Sequence, residues 1–293
     1  MVKTDLLSTR QVAELLAVGE ATVKRWADAG EIDCFRTPGG HRKFRLRDVT
    51  AFVQKRQYPL ADALPAQLPP GFDEVTDAVA TIEKIALSGD ATGVVAQIAA
   101  LRLRGHELAA IFDEVIAPAL VRIGVGWQEC KLSVAEEHVA SQAVIDAISR
   151  TQPLAEPPGE PNRGGRGTAI VAAAAGEQHD IAARMAACLL RARGFEVLAP
   201  LAATPATDLA NMVLRSRAHV VALGSTVPPD AGALQEQIEV AARAARSAGG
   251  RVVVGGKGMA QLTLPQEVLF LRSMGELEQQ MGSLGRRHAA ARS

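Results

Sequence analysis

Proline-rich stretches divide the chain into segments with different patterns of apolar residues. Four of the 15 prolines lie in residues 57–72, and four more lie in residues 151–168 beside several glycines. Proline and glycine at this density interrupt both helices and strands, so we interpret 57–72 and 151–166 as linkers. The linkers separate three segments: 1–56, 73–150 and 167–293.

In the middle segment, apolar residues recur about every 3.6 positions, as on one face of a helix. This spacing predicts four amphipathic helices with short connections, which favours a four-helix bundle. We expect the third helix to fade at Gly124 and Gly126. Ser133 and Glu136 form a capping box that opens the fourth helix, and that helix is predicted to end near Arg150.

The last segment alternates short apolar runs with longer helical patterns. The five predicted strands are 168–174, 195–201, 219–223, 251–254 and 268–271. The predicted helices lie near 180–193, 206–217, 231–248 and 275–287. This alternation predicts a doubly wound parallel sheet with helices on both faces, a Rossmann-like or flavodoxin-like α/β fold. The chain as a whole is therefore predicted to be multidomain.

The first segment has the pattern of a helix, a short turn and a second helix. An apolar helix face is followed by a turn at Val18-Gly19. In the second helix the apolar side chains are expected to point inward and the polar ones outward: Val23 and Trp26 inward, Thr22, Lys24 and Arg25 outward. This is the helix-turn-helix arrangement, whose second helix enters the major groove of DNA.

A basic hairpin is predicted after the second helix. Residues 32–35 and 41–45 flank a Thr-Pro-Gly-Gly turn at 37–40 and form two short strands. The expected DNA contacts of this hairpin are His41, Arg42 and Lys43. Such a hairpin is a wing that can reach phosphates or the minor groove. The alternative is a small helical domain with a solvated basic loop.

The distribution of charge supports a nucleic-acid partner for the first segment alone. Residues 1–57 hold eleven basic and seven acidic side chains, a net charge of +4, whereas the rest of the chain has a net charge of −4. We call the basic N-terminal segment the head. Because the rest of the chain is acidic, the charge distribution indicates that only the head binds a polyanion.

At residues 6–56 the chain resembles the MerR family of transcription regulators. The most specific part of the likeness is Thr-Pro-Gly-Gly-His-Arg-Lys-Phe at residues 37–44. The resemblance implies binding to double-stranded operator DNA. MerR proteins usually continue into a long dimerising helix, but here Tyr58 and Pro59 begin a linker. Any dimerisation must therefore come from another part of the chain.

Other sequence features indicate a soluble cytoplasmic protein. The three cysteines are scattered and form no C-x-x-C, which argues against a disulfide framework or a structural zinc site. The N-terminus has no apolar signal core, and no run reaches the roughly 18 apolar residues of a membrane span. We therefore expect no membrane partner.

Three loops of the predicted sheet have unusual sequences. They contain His179 after the first strand, Gly224-Ser225-Thr226 after the third and Gly255-Gly256 after the fourth. If the strand order is 2-1-3-4-5, strands 1, 3 and 4 are neighbours and these loops converge at one ligand crevice. No G-x-G-x-x-G and no G-x-x-x-x-G-K-[ST] is present, which disfavours a dinucleotide site and a nucleotide-binding P-loop. Taken singly, a loop histidine is more often a solvated or capping residue.

Together the loops resemble the cobalamin-binding domain of corrinoid methyltransferases, mutases and cobalamin-dependent regulators. In that family a histidine in the motif D/E-x-H-x-x-G ligates cobalt from below, which implies this role for His179 and a supporting role for Glu177. Ala182 stands at the glycine of the motif. The family's Ser-x-Leu is poorly matched, since Gly224 occupies the serine position unless Ser225 replaces it with a shift of one residue.

The middle segment carries a second motif. Trp127 is followed after nine residues by Glu137-His138, which resembles the cap of adenosylcobalamin-dependent photoreceptor regulators of the CarH type. The resemblance implies a four-helix bundle over the upper face of the corrin, with the tryptophan beside the adenosyl group. Light sensors of this kind often have a histidine directly after the tryptophan, where this chain has Gln128. Otherwise Trp127 is bundle core and His138 a surface residue.

These resemblances imply a transcription regulator, a repressor, that senses adenosylcobalamin and responds to light through photolysis of the cobalt–carbon bond. The cofactor would then be a signal rather than a turnover catalyst, so we expect no enzyme activity. Operator binding would depend on a homo-oligomer, a dimer or tetramer, of the cofactor-bound chain. The alternatives are a light-independent cobalamin sensor, a corrinoid carrier or methyltransferase component, and a regulator that responds to another ligand.

Overall fold

The computed structural model describes these residues: 6–16, 18–37, 39–45, 48–49, 52, 75–155, 165–177, 179–201, 204–227, 230–260 and 262–284. The predicted linker 57–72 and Pro38 of the predicted hairpin turn lie outside them, as does most of the linker 151–166. The chain folds into two compact units, Met1–Glu160 and Pro161–Ser293, which are taken separately below. Among the described helices, none combines the length and apolarity needed to cross a membrane.

The N-terminal part contains the predicted helix pair. Its elements are β1 (Leu6–Ser8), α1 (Thr9–Leu15), α2 (Glu20–Asp28), β2 (Phe35–Arg36) and β3 (Arg42–Arg45). Val23 and Trp26 are buried, as the apolar pattern predicted, and the Trp26 ring stacks at 4.8 Å on Phe52. The apolar sides of the two helices therefore close a small core.

The antiparallel sheet beside these helices has one strand more than the sequence predicted. The strand order is β1-β3-β2, and Leu7 of β1 pairs with Phe44. Three residues are too few to display the alternation that identifies a strand, so β1 was missed. The predicted first strand of the hairpin begins later than expected, because Ile32 is taken into the core and pairing starts at Phe35.

Four helical stretches follow in the first unit. They are α3 (Val75–Leu87), α4 (Ala91–Leu103), α5 (Leu108–Ile111, a π-helical turn at Phe112–Ile116, and Ala117–Gln128) and α6 (Val134–Ala155). Helix α6 packs against α3, α4 and the last part of α5. The predicted capping box is confirmed, since the Ser133 amide donates to Glu136 at 2.8 Å and the Glu136 amide donates to the Ser133 hydroxyl at 3.3 Å.

The structure corrects both predicted helix ends in this region. Helix α5 runs through Gly124 and Gly126 to Gln128, because a glycine costs a helix only about 1 kcal/mol. Gly126 is required by the turn that follows, where an added Cβ would lie 3.0 Å from Leu132. Helix α6 continues past Arg150 to Ala155 because Thr151 is fully buried, so packing extends the helix into the predicted linker.

The second unit is a five-stranded parallel sheet with helices between its strands. Its elements are β4 (Thr168–Ala173), α7 (Ile181–Ala192), β5 (Glu196–Leu201), α8 (Ala206–Ser216), β6 (Val220–Gly224), α9 (Ala231–Ala248), β7 (Arg251–Gly255), β8 (Val268–Leu271) and α10 (Met274–Leu284). The strand order β5-β4-β6-β7-β8 is the predicted order 2-1-3-4-5. The central strands are buried on both faces, which explains their almost wholly apolar sequences.

Candidate functional site

The loop after β4 presents a histidine held by a buried carboxylate. Glu177 Oε1 accepts hydrogen bonds from the His179 amide at 2.9 Å and from His179 Nδ1 at 2.8 Å. The Glu177 side chain is 1% exposed, whereas that of His179 is 67% exposed. The pair therefore places a fixed imidazole at the surface of the sheet's carboxyl edge.

The second oxygen of Glu177 binds the neighbouring loop after β6. Oε2 accepts from the amides of Thr226 at 2.8 Å and Val227 at 2.9 Å, and the Ser225 hydroxyl lies 3.5 Å away. Burial alone would raise the pKa of Glu177. The hydrogen bonds from Val227, from the amide and ring of His179, and from Thr226 outweigh it and hold this pKa below its usual value.

The ionised state of Glu177 determines which nitrogen of His179 is free. A carboxylate can only accept hydrogen bonds, so His179 Nδ1 must carry the proton that it shares with Glu177. In the neutral ring the lone pair then lies on Nε2, on the exposed side of the imidazole. This is how a metal-ligating histidine is usually held, with its other ring nitrogen donating to a carboxylate.

In the described part of the chain, His179 belongs to no cluster of acidic, histidine or cysteine side chains that could hold a metal ion. A single imidazole is a poor site for a bare cation. It suits a metal whose other coordination positions are occupied, such as cobalt in a corrin ring.

The loops after β6 and β7 meet beside Glu177, as the predicted strand order required. The Ser225 amide donates to the Gly255 carbonyl at 3.0 Å, and the Gly258 amide donates to the Ser225 carbonyl at 3.0 Å. A Cβ on Gly256, where φ is +98°, would lie 2.2 Å from that Ser225 carbonyl. A Cβ on Gly224 would meet nothing within 4 Å, so this strand end borders open space. Small residues therefore let these loops pack closely and leave free space beside the end of β6.

The candidate residues of the helical segment are largely exposed. Trp127, in the last turn of α5, is 46% exposed, so it is not the core residue that a bundle tryptophan usually is. His138 is 73% exposed and lies 3.5 Å from Glu137, which also accepts from the Ser141 hydroxyl at 2.6 Å. Val134 and Val139 are also about half exposed. The segment around the α5–α6 turn thus presents apolar surface with polar groups beside it.

The DNA-binding candidates of the head divide into two sets. Lys24 and Arg25 are exposed on α2, while Thr22 is half-buried. On the hairpin, His41 is exposed and Lys43 half-buried. Arg42 differs, because its side chain is only 16% exposed and its guanidinium is paired with Asp28 at the end of α2. The hydrogen bond from Arg42 holds the pKa of Asp28 below its usual value.

The contact of Arg42 with DNA stays a prediction, and in the folded chain its guanidinium is held by Asp28. Asp28 also accepts from Arg36 of β2 at 3.2 Å, so one carboxylate joins both hairpin strands to the second helix. The role of Asp28 was not predicted, because the sequence does not show which cations an acidic residue will contact in the folded chain. It also missed the amide of Val227, since backbone donors leave no trace in side-chain patterns.

Comparison with known proteins finds domain matches in all three segments of the chain. Residues 6–57 match a helix-turn-helix domain, and residues 78–151 and 167–280 match two B12 binding domains. The HTH-type transcriptional repressor CarH of Myxococcus xanthus is 29% identical over 239 residues, which are 73% of this chain and 76% of that protein. The transcriptional repressor DcmR of Methylorubrum extorquens is 38% identical over 78 residues, 26% of this chain but only 28% of DcmR.

A solved structure has a similar fold over much of the chain. The monomethylamine corrinoid protein of Methanosarcina barkeri matches with a TM-score of 0.54 at 12% identity, over 70% of this chain and 97% of that structure. A helix-turn-helix domain followed by two B12 binding domains defines a cobalamin-binding, DNA-binding transcription regulator. Over most of its length the chain is similar to the repressor CarH.

Proposed function

We propose that this protein is a repressor that binds operator DNA when it carries adenosylcobalamin. We propose further that light causes the protein to dissociate from the DNA. The proposal rests on the geometry of His179. Its ring is fixed by Glu177 and its Nε2 is free, in a chain whose head is a helix-turn-helix domain. The proposed division is: DNA-binding head 1–56, linker 57–72, cap 73–150, linker 151–166 and cobalamin domain 167–293.

In the proposed cobalamin domain, each loop has a distinct task. His179 would supply a nitrogen ligand to the cobalt, and Glu177 would keep the ring in the tautomer that ligates. The cofactor would lie along the loops whose small residues let it approach the backbone: Ser225, Thr226, Gly255 and Gly256. The contacts to the nucleotide tail of the cofactor depend on the departure from Ser-x-Leu, where the Ser225 hydroxyl lies 3.5 Å from Glu177 Oε2.

In the proposed cap, Trp127 packs against the adenosyl group, and Glu137 and His138 bind its polar edges. The half-exposed state of Trp127 supports this, because a large aromatic side chain left open to solvent gains free energy when a ligand covers it. When bound, adenosylcobalamin supplies a cobalt–carbon bond that light can break. Release of the upper ligand would uncover Trp127 again.

The proposed consequence for DNA is a change of oligomeric state. The head has no dimerising helix of its own in the sequence, so several heads on one operator require an assembly through other parts of the chain. A dimer or tetramer raises the effective concentration of each head at a repeated site. We propose that the dark, cofactor-loaded chain forms this homo-oligomer.

The first test is spectroscopic. Adenosylcobalamin added in the dark to the wild-type protein should bind with the spectrum of a histidine-ligated cobalamin. The variant His179→Ala should bind more weakly and with a base-off spectrum. The control His106→Ala removes an exposed histidine of another loop and should behave as wild type. A wild-type spectrum in His179→Ala would overturn the ligand assignment.

The second test separates the proposal from its alternatives. Size-exclusion chromatography and gel shifts, dark and illuminated, should show an oligomer and a DNA complex that both dissociate on illumination. If both survive full photolysis but require the cofactor, the chain is a light-independent cobalamin sensor, which the departure at Gln128 favours. If the protein binds no operator DNA under any of these conditions, the remaining alternative is a corrinoid carrier or methyltransferase component.

A further inference from the structure

Gln237 is a polar side chain that lies entirely inside the second unit. It occupies the second turn of α9 and is 0% exposed. Burial of an amide costs free energy unless both its ends are hydrogen-bonded. The amide of Gln237 is therefore expected to form hydrogen bonds at both its oxygen and its nitrogen.

Both ends of the Gln237 amide bind loop backbone at the carboxyl edge of the sheet. Its Oε1 accepts from the Ala175 amide at 2.8 Å, and its Nε2 donates to the Thr204 carbonyl at 3.0 Å. Ala175 belongs to the loop after β4, and Thr204 precedes α8. One side chain therefore ties the loops after two neighbouring strands to helix α9.

The bond to Ala175 completes the anchoring of the histidine-bearing loop. The Ala174 amide donates to the Gly224 carbonyl at 2.8 Å, and the Glu177 amide donates back to Ala174 at 2.9 Å. Between these two points the Ala175 amide faces Gln237. Gly176, with φ at +80°, then turns the chain toward Glu177.

We infer that Gln237 is a positioning residue for cobalt ligation: it holds the loop that carries Glu177 and His179 in the geometry that presents Nε2. The inference rests on the proposed ligand role of His179. Gln237 acts through Ala175 and touches no ligand atom in this assignment. Loss of its acceptor frees one buried amide and lets the loop shift relative to the loop after β6.

The test compares three variants of the full-length protein. Gln237→Met keeps the shape of the side chain but removes both hydrogen bonds, and Gln237→Glu keeps an acceptor for Ala175. The matched control is Gln235→Met on the same helix, where Nε2 donates to the Thr263 carbonyl at 2.8 Å, in a different loop. The readouts are titration with adenosylcobalamin in the dark, the visible spectrum at saturation, and hydrogen exchange of the peptide 174–180 without cofactor.

We expect Gln237→Met to bind adenosylcobalamin about ten-fold more weakly or worse, with part of the bound cofactor base-off and faster exchange in 174–180. Gln237→Glu should recover part of the histidine-ligated fraction, and Gln235→Met should match wild type. A purely structural role would lower the melting temperature but leave the saturated spectrum unchanged.

The outcomes separate the inference from the function on which it rests. A wild-type spectrum and wild-type exchange in Gln237→Met would overturn the inference while leaving His179 as the ligand. If Gln237→Met fails to fold, Gln237→Glu decides: a histidine-ligated fraction between those of wild type and His179→Ala, with faster exchange in 174–180, supports the inference, and a wild-type spectrum with wild-type exchange overturns it. If wild type itself shows no histidine-ligated cobalamin, the proposed function fails, whatever the exchange data show.

Discussion

Replacing Glu177 by glutamine should loosen the joint between two loops without changing the size of the side chain. The carboxylate accepts four hydrogen bonds of 2.8–2.9 Å, two on each oxygen. A glutamine has a single oxygen, so in either orientation its NH2 group faces two donors. The less costly orientation keeps the oxygen at Thr226 and Val227 and places the NH2 group against His179.

The magnitude follows from the bonds that are lost or weakened. The exposed ring of His179 can turn away, but its backbone amide loses a charged acceptor, at a cost of roughly 1.5–3 kcal/mol. The two bonds to the other loop become neutral and lose about half their strength. We therefore expect the free energy of unfolding of this unit to fall by about 3 kcal/mol. Cobalamin affinity should fall about 10–100-fold, as for other partners of metal-bound histidines.

Urea unfolding followed by circular dichroism measures the first quantity, and spectral titration with adenosylcobalamin in the dark measures the second. The control is Glu196→Gln, an exposed glutamate at the start of β5, which should change neither by more than about 0.5 kcal/mol. If Glu177→Gln unfolds like wild type and binds cobalamin equally tightly, the carboxylate neither joins the loops nor orients His179.

The remaining expectations concern the head, the cap and the glycine loop. Lys43→Ala should lower the steepness of log K against log salt for operator binding by about 0.9, whereas Arg42→Ala should weaken binding with little change in steepness, because its charge is already paired. If both variants lowered the slope of log K against log salt equally, Arg42 would also contact a phosphate. Trp127→Ala should leave the melting temperature of the cofactor-free protein nearly unchanged but weaken the dark oligomer seen by size-exclusion chromatography. Gly256→Ala should lower both the melting temperature and cobalamin binding, and normal values would contradict the close contact with Ser225.

Periodicity in the sequence was enough to determine the order and type of most elements. The three central strands consist almost wholly of apolar residues because both of their faces are covered, so they were recognisable one by one. The helix pair of the head was equally visible, since Val23 and Trp26 lie on one side of α2 and the cations on the other. Once the strand order 2-1-3-4-5 was assumed, the convergence of the loops at His179 and Gly255 followed from topology.

The tertiary structure decided which of these residues act together. Arg42 reads as a free cation in the sequence, but the fold brings it to Asp28, fourteen positions away. Glu177 is joined to Val227 through a backbone amide, which no residue pattern reveals. Helix α5 passes through Gly126, and the chain then turns so that the Leu132 side chain lies 3.0 Å from where a Cβ on Gly126 would be. Local propensity and periodicity act within an element, whereas ion pairs, backbone anchors and steric fit depend on neighbours that only the folded chain supplies.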